Sequence, residues 1–452
     1  MYMRGFGLLA HYFPAEDAQA MTDTPRAPLS SFCYCIAIFL LGETLVRGDK
    51  QFDSIALACV AAAILIVALP LLLPQQSVNR RLLDGLIAVG VVVGFCRLPL
   101  IDLFFQYPAS RQLLMPFVVL AAIAAVLAVL ILFRLPRSMV GGAFVLLLLA
   151  FSLMGKFYLD LSASPHNDVY VVQELGCQAL GDHRNPLGIT FPDIYGPRAG
   201  FYPPLSLLMD LPGYLAGDLR YSHLAAVLIA AALLGYSQRH FAPAIWLLFT
   251  PRLLFILENS WIETYALLFL AIAVWCHERK RDWLVPVAVG LLLVTKQYLL
   301  LTIPAIALLM PQPSQWRTAG RFALIAVIAG SVVTLPFILW SPSAFLHSTT
   351  SLYTNLLRPD SISFLPIISR LLGTRLTLLC PLLAALPPSI LILLRAPRSA
   401  SGFAAAVALI CLCVFAFSTQ AFINYYFYAT GALCVAIAAE RGFAPDPVSA
   451  TP

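Results

Sequence analysis

The longest polar segment of the chain, residues 161–203, contains the carboxylate best placed to act as a general base, Asp168. It follows an apolar stretch by about eight residues. A carboxylate at such a boundary stays ionised beside water and still reaches a substrate held among lipid headgroups, and general-base catalysis needs that reach. The alternative is that Asp168 caps a helix over 169–180, whose apolar residues have helical spacing. The two roles can coexist.

Two further carboxylates flank a short polar loop between apolar stretches. Glu258 and Glu263 lie five residues apart at the ends of this loop. An ionisable residue at the edge of a membrane helix is by default a candidate for function. The alternative is a structural pair with Arg252 or Trp261.

Lys296 and Arg358 are the candidate binders of an anion. Lys296 is bounded on both sides by apolar runs. This position predicts that its ammonium group either binds a lipid phosphate as a compact point charge or anchors the chain by extending to the membrane interface. Arg358 predicts bidentate phosphate binding or a surface pair with Asp360, worth about 0–1 kcal/mol. The Tyr-rich run 425–428 predicts an interfacial aromatic belt, with stacking on a sugar as the less favoured alternative.

Other kinds of site have little support in the sequence. His166 and His183 share the polar segment with Asp182 and Asp193, but their spacing is not that of a usual ligand set, so we expect no metal. No Gly-rich loop lies between a strand and a helix, so we expect no bound nucleotide and no cofactor. The ten Cys mostly lie in apolar runs and indicate no disulfide framework.

Composition indicates where these residues must be held. The chain has 452 residues, of which 60% are hydrophobic and 11% charged, whereas a soluble domain has roughly 25% charged residues. Such a surface faces lipid, and the formal net charge of +6 is explained by Lys and Arg in cytoplasmic loops rather than by a nucleic-acid partner. We therefore predict an all-α, polytopic transmembrane helical bundle.

The apolar stretches predict about 11–14 spans, since a span needs about 20 apolar residues. The stretch 283–310 is ambiguous, because its two short halves form either a helical hairpin or one long broken helix. Residues 1–30 lack the layout of a cleaved signal peptide, and translation starts at Met1 or Met21. The candidate spans are 31–46, 54–73, 83–104, 113–133, 139–160, 220–237, 241–257, 262–277, 283–295, 298–310, 322–340, 376–394, 400–418 and 422–439.

The distribution of basic residues predicts the orientation. Arg47, Lys50 and Arg111 lie on one side, and the larger set lies on the other, which is the cytoplasm if 283–310 is a hairpin. Both termini are then inside, and five polar elements meet on the non-cytoplasmic face: 161–203, the loop near Glu258, Lys296-Gln297, 341–360 and the turn near Gln420. The larger set comprises Arg80, Arg81, Arg134, Arg137, Arg239, Arg279, Lys280, Arg281, Arg317, Arg321, Arg395, Arg398 and Arg441.

The order of several short motifs over residues 160–435 resembles bacterial GT-C glycosyltransferases. The closest likeness is to polyprenyl-phosphate-mannose-dependent mannosyltransferases and their uncharacterised relatives. One departure is that about five spans precede the Asp-bearing loop, which follows the first span in many relatives. The motifs are Asp168-Val169-Tyr170, Gly181, Asn185-Pro186, Thr190-Phe191-Pro192-Asp193-Ile194-Tyr195, Tyr202-Pro203-Pro204-Leu205, Glu258, Trp261 and Glu263 in LENSWIETYALL, Lys296, Gln297 and Pro304 in TKQYLLLTIP, Arg358, Asp360 and Ser361 in LRPDSIS, and Asn424-Tyr425-Tyr426 in NYYFYA.

The resemblance implies a multi-pass enzyme of a bacterial inner membrane. It would transfer a hexose, with mannose as the first candidate, from a polyprenyl-phosphate donor to a hydroxyl of a glycolipid or glycan on the non-cytoplasmic face. Asp168 would be the general base, and Lys296 and Arg358 would bind the donor phosphate. This leaving group has a second pKa of about 6 and needs no general acid. The substrate-binding residues would be Tyr170, Asn185, Tyr202, Glu258, Glu263, Gln297, Asp360, Asn424 and Tyr425.

A GT-C-like catalytic region over 161–440 would then follow an N-terminal tail (1–30) and membrane helices (31–160), and precede a tail (441–452). A re-entrant or interfacial non-cytoplasmic loop, 161–203, belongs to that region.

The main alternative function is a multispan transporter or lipid flippase. Transporters place polar sites near the midplane, often in two repeated halves, whereas here the polar motifs are predicted on one face and no repeat is visible. A membrane scaffold is a weaker option.

Overall fold

The computed structural model describes residues 26–48, 52–73, 76–97, 114–133, 135–162, 167–191, 198–199, 202–237, 241–310, 316–351, 357–374 and 379–440. These ranges are almost entirely helical, with two small antiparallel strand pairs. Strand β1 (Arg26–Pro28) pairs with β2 (Ser77–Asn79), and β3 (Thr190–Phe191) pairs with β4 (Arg198–Ala199). The first eight helices are α1 (Leu29–Arg47), α2 (Ser54–Leu72), α3 (Arg80–Arg97), α4 (Leu114–Phe133), α5 (Arg137–Leu161), α6 (Asp168–Gly181), α7 (Pro204–Leu215) and α8 (Arg220–Ser237).

The second half of the chain has shorter helices. A 3-10 turn over Pro186–Gly188 follows α6, and a longer 3-10 helix over Gln297–Thr302 lies between α12 and α13. The remaining helices are α9 (Ala242–Leu248), α10 (Leu253–Glu258), α11 (Glu263–Glu278), α12 (Leu284–Leu293), α13 (Ile303–Ile306), α14 (Trp316–Trp340), α15 (Pro342–Ser351), α16 (Leu365–Leu372), α17 (Leu379–Arg395), α18 (Ala400–Ala416) and α19 (Ile423–Ala438).

Five of the described helices are long and apolar enough to cross a membrane: α1, α2, α4, α5 and α14. The pair α7 and α8, bent by 108°, brings the number to six if it forms one span. The pattern is that of a multi-pass membrane protein, but it does not reach the predicted 11–14 spans. Part of the shortfall arises where predicted spans break, since 241–257 splits into α9 and α10 at Arg252, whose φ of 66° is incompatible with a continuing helix.

Side-chain exposure separates an outer layer from an inner layer. Helices α2, α4, α14 and α17 expose large apolar side chains, among them Leu65 at 71% and Leu339 at 73%, and such surfaces fit contact with lipid chains. Almost every residue of α18 and α19 is buried. Small residues allow close approach inside the bundle, because a Cβ added at Gly431 would lie 2.8 Å from the Leu267 side chain of α11.

The stretch 283–310 is a hairpin. Helix α12 begins beside Trp283, and Leu308 and Met310, beyond α13, line the same cavity as Trp283. The chain therefore returns to the end of the bundle from which it came, with Lys296 near the apex. This excludes the alternative of one long broken span.

The two ends of the bundle differ in chemistry. The end that we call the basic end contains Arg279, Lys280, Arg281, Arg321 and Arg398; three of these, Lys280, Arg321 and Arg398, line one cavity there. The opposite end, which we call the site end, contains the apex of the hairpin, the start of α6 and the starts of α11 and α19.

Candidate functional site

The site is centred on an ion pair between the start of α11 and the apex of the hairpin. Glu263 is the first residue of α11, and Lys296 lies in extended backbone directly before the 3-10 helix. Lys296 Nζ is 2.5 Å from Glu263 Oε1. The Glu263 side chain is fully buried, and that of Lys296 is 5% exposed. Water therefore screens the attraction between the two charges only weakly, and each buried charge is stabilised mainly by the other.

A third element, α19, completes the polar contacts of Glu263. The Asn424 side-chain amide donates a hydrogen bond of 2.9 Å to Glu263 Oε1, and the Tyr298 hydroxyl lies 3.5 Å from the same oxygen. The other oxygen, Glu263 Oε2, is buried and has no hydrogen-bond partner among the described residues. Since buried polar atoms are normally paired, this oxygen is an unsatisfied acceptor within the described part of the site.

Three tyrosine rings surround the ammonium group of Lys296. Its Nζ lies 4.7 Å from the ring centroid of Tyr425 and 5.5 Å from those of Tyr202 and Tyr298. Rings at these distances attract a cation through their electron-rich faces. We call Glu263, Lys296, Asn424 and the three tyrosines the Lys296 cluster.

A cavity of about 410 Å³ opens beside the Lys296 cluster. A volume in this range suits a ligand with the size of a small lipid portion or a sugar. Its polar part contains Lys296, Gln297, Ser418, Thr419 and Gln420, and its apolar part contains Leu300, Leu301, Pro381, Leu382 and Val414. The cavity therefore fits an amphipathic molecule.

Asp168 is the first residue of α6, and it is not the cap of that helix. Asn167 caps α6, because its Oδ1 accepts a hydrogen bond of 2.7 Å from the Tyr170 backbone N–H. The capping interpretation of Asp168 was therefore wrong by one residue. Asp168 is half-buried, and its Oδ1 accepts from the Val169 backbone N–H at 3.0 Å.

Tyr202 is the neighbour that Asp168 shares with the Lys296 cluster. Burial raises the pKa of the Tyr202 phenol well above its ordinary value, and the charge of Asp168, then those of Tyr425 and Glu263, raise it further. Asp168 thus acts electrostatically on a ring that also contacts Lys296. The structure brings the predicted residues Asp168, Tyr202, Glu263 and Lys296 into one region.

Glu258 lies next to this region but makes structural contacts. It is buried, and it accepts hydrogen bonds from the Tyr158 hydroxyl at 2.8 Å and from the Ser162 hydroxyl. These contacts connect the end of α5 to the end of α10. Beside it, the Asn167 amide donates to Asn259 Oδ1 at 2.6 Å, which fixes the start of α6 to the same loop.

Tyr170 and Asn185, predicted on the acceptor side, are held by local contacts. The Tyr170 hydroxyl donates to Glu174 at 3.2 Å, and its ring centroid lies 5.9 Å from the Arg220 guanidinium. Asn185 caps the 3-10 turn, since its Oδ1 accepts from the Leu187 backbone N–H at 2.9 Å. Both residues therefore stabilise the local structure of the polar segment.

Arg358 and Asp360 form the predicted pair. Arg358 donates through Nε at 2.9 Å and through Nη2 at 2.7 Å to the two oxygens of Asp360. The hydrogen bonds and the charge of Arg358 hold the pKa of Asp360 below its ordinary value, although partial burial acts in the opposite direction. The backbone N–H of Arg358 donates to the carbonyl of Thr419 at 3.0 Å, so the pair lies at the rim of the cavity that Thr419 lines.

A buried network behind Glu263 was missed in the sequence. His223 Nε2 lies 2.9 Å from Asp210 Oδ1, and His223 Nδ1 lies 2.7 Å from the Thr264 hydroxyl. The Tyr265 hydroxyl donates to Asp210 at 2.5 Å. The network connects α7 and α8 to the first turn of α11, and the signal that indicates it is an Asp and a His within apolar stretches.

Among the described residues, no three or more His, Cys, Asp or Glu side chains are grouped so that they could hold a metal ion. His166 and Asp193, two of the weighed ligands, lie outside the described residues. No protein-family model, no curated protein and no solved structure matches this chain.

Proposed function

We propose that this protein is a membrane glycosyltransferase of the GT-C type, which transfers a hexose, with mannose as the first candidate, from a polyprenyl-phosphate donor to an acceptor hydroxyl. The observation that carries the proposal is the Lys296 cluster beside an amphipathic cavity. A polyprenyl-phosphate sugar needs these three features together: a cation for the phosphate, an apolar wall for the first isoprene units, and acceptor atoms or rings for the sugar.

Lys296 fits the phosphate because it lines the cavity and an ammonium group has three N–H donors. Glu263 uses one of them and fixes the position of the group. The pair is neutral as a whole, so Lys296 would act on the phosphate by directed hydrogen bonds in a partly water-excluded site, where such contacts are strong. Arg358, at the cavity rim, would add positive charge if phosphate competes with Asp360.

The proposed reaction is a single displacement with inversion at the anomeric carbon. The acceptor oxygen forms a bond to that carbon while the bond from the carbon to the phosphate oxygen breaks. The carboxylate of Asp168 takes the proton of the acceptor hydroxyl, and the electron pair of the broken bond leaves with polyprenyl phosphate. Tyr202, between Asp168 and Lys296, would contact the sugar, with Gln297, Asn424 and Tyr425 beside it.

The test is donor dependence in proteoliposomes that contain the purified full chain. We expect transfer of labelled sugar from polyprenyl-phosphate mannose, or from another polyprenyl-phosphate hexose, to an added glycolipid or glycan acceptor. Transfer from a nucleotide sugar, with no polyprenyl phosphate present, would show that the proposed donor is wrong.

A lipid flippase or transporter is the second candidate, and the buried Asp210–His223 pair favours it. Ionisable residues inside a membrane bundle often mark a transport path. The two candidates differ in product: a flippase moves an intact labelled lipid between leaflets of the same proteoliposomes and leaves its sugar attached. Lipid movement without sugar transfer would favour the second candidate.

A further inference from the structure

The basic end of the bundle contains a second cavity, of about 710 Å³. It lies between the turn joining α11 to α12, the end of the hairpin, the start of α14 and the segment before α18. The Lys296 cluster does not take part in it. Its lining residues include Lys280, Trp283, Leu308, Leu309, Arg321 and Arg398.

The charged side chains of this cavity are strongly unbalanced. Lys280, Arg321 and Arg398 are exposed, and Asp282 is the carboxylate among the lining residues. In the described part of the chain, none of the three cations is paired with a carboxylate. Three cations from three separate segments thus face one opening, an arrangement that attracts an anion with several oxygens.

The inner wall of the cavity is apolar. Leu308, Leu309 and Phe322 are buried side chains of this wall, and Ile325 extends it along α14. Trp283 stands at the rim with 63% of its surface exposed, as is typical of aromatic side chains at a membrane interface. A small soluble anion would leave this wall uncovered, whereas a lipid would cover it with its acyl chains.

We propose that this cavity binds the phosphate headgroup of an anionic membrane phospholipid. The phosphate lies among Lys280, Arg321 and Arg398, and the upper part of the acyl chains lies against the wall formed by Leu308, Leu309 and Phe322. Basic pockets between membrane helices bind anionic headgroups by this combination of charge and apolar surface. The proposal does not depend on the proposed enzymatic function.

The experiment is a native mass spectrometry titration of the delipidated, purified full chain. Phosphatidylglycerol is compared with phosphatidylcholine of the same acyl chains, and inorganic phosphate is added as a competitor. We expect phosphatidylglycerol to bind more tightly than phosphatidylcholine. The triple variant Lys280→Gln, Arg321→Gln, Arg398→Gln should weaken phosphatidylglycerol binding by roughly tenfold to hundredfold.

The matched control removes three other exposed cations, each within four residues of a lining cation but outside the lining of the cavity: Arg281→Gln, Arg317→Gln, Arg395→Gln. It should weaken binding by less than about threefold, because these exposed charges do not contact the bound headgroup, and water and salt screen their attraction. If the triple variant unfolds, the single variant Arg321→Gln, at an exposed position, replaces it in the test. We expect Arg321→Gln to weaken phosphatidylglycerol binding several-fold.

Three outcomes would overturn the proposal. Equal losses in the triple variant and its control would show general attraction of the lipid to a basic surface. Unchanged binding in the triple variant and in Arg321→Gln would place the lipid elsewhere. Displacement of the lipid by an equal concentration of inorganic phosphate would identify a site for soluble anions, to which the apolar wall contributes nothing.

Discussion

At the scale of single residues, Glu263 and Lys296 determine the chemistry of the site because each is the charge partner of the other inside the bundle. Burying a carboxylate or an ammonium group alone is costly, and the pair offsets that cost only while both members are present. Asn424 and the three tyrosines add directed contacts to this ion pair, by a hydrogen bond to Glu263 and by aromatic rings around the Lys296 ammonium group.

We expect Lys296→Met and Glu263→Gln each to destabilise the protein by about 3–5 kcal/mol, because each leaves an uncompensated buried polar or charged group. The double variant should lose less than the sum of the two. The measurement is a double-mutant cycle of unfolding in detergent. The control is Lys156→Met, which breaks an exposed pair with Asp160 and should cost at most about 1 kcal/mol. Additive losses at positions 263 and 296 would argue against a coupled pair.

Asp168→Asn should lower sugar transfer by about 10²–10⁴-fold with no loss of folding stability, since the amide keeps the shape but cannot take a proton. The cap of α6 is the neighbouring residue, so Asn167→Ala is the matched control. It should lower stability by roughly 1 kcal/mol and leave most activity of the folded fraction. The readout is turnover per folded protein. Near-normal turnover of Asp168→Asn would remove Asp168 from the proposed mechanism.

The sequence indicated several members of the site individually but not how they meet. Glu263, Lys296, Asn424 and Tyr425 were each predicted as binding residues, and the structure brings them together. The ion pair itself joins residues 33 positions apart, and spacing along the chain does not reveal which helices pack against each other. The same limit explains why Asp210 and His223 were missed.

At the scale of elements, the hairpin positions Lys296, and its close packing against α14 depends on glycine. A Cβ added at Gly290 of α12 would lie 2.2 Å from the backbone oxygen of Ala326 on α14. No real contact is so short, so the two helices would have to separate. The apolar periodicity of 283–310 was compatible with one long broken helix or with a helical hairpin, because periodicity does not indicate whether the chain continues or turns back after Lys296.

Gly290→Val should therefore lower stability by about 1–3 kcal/mol through overpacking and reduce sugar transfer through displacement of Lys296. Gly320→Val on α14 is the control, since nothing lies within 4 Å of its added Cβ and Gly is the poorer helix former. Thermal unfolding and transfer assays on both variants provide the comparison. Equal effects of the two substitutions would mean that the α12–α14 contact is more tolerant than its geometry indicates.

At the scale of the whole molecule, the two cavities lie at opposite ends of the bundle, one beside Lys296 and one among the basic residues. The bias of Lys and Arg predicts that the basic end faces the cytoplasm. Composition predicted the membrane class of the chain correctly. Five or six of the described helices are long and apolar enough to cross a membrane, fewer than the 11–14 spans predicted, and hydropathy does not register breaks such as the one between α9 and α10.

The orientation predicts a pair of labelling results in intact cells. A cysteine placed at Asp182, whose side chain is 52% exposed, should react with a membrane-impermeant maleimide from outside. A cysteine placed at exposed Lys280 should react only after permeabilisation. The unsubstituted chain gives the background from its ten native Cys. Labelling of Lys280→Cys and not of Asp182→Cys in intact cells would reverse the orientation.

The shortness of the hairpin has a consequence for biosynthesis. Helix α12 has ten residues and a length of about 15 Å, roughly half of the hydrocarbon core. Neither half of the hairpin is long enough to span the hydrocarbon core, and its apex carries a charge. Helix α11 is made immediately before it, and Glu263 can neutralise Lys296 as the hairpin enters the bilayer. Integration of this segment is therefore expected to be cotranslationally coupled to its neighbour, so that the ion pair forms during insertion rather than after assembly.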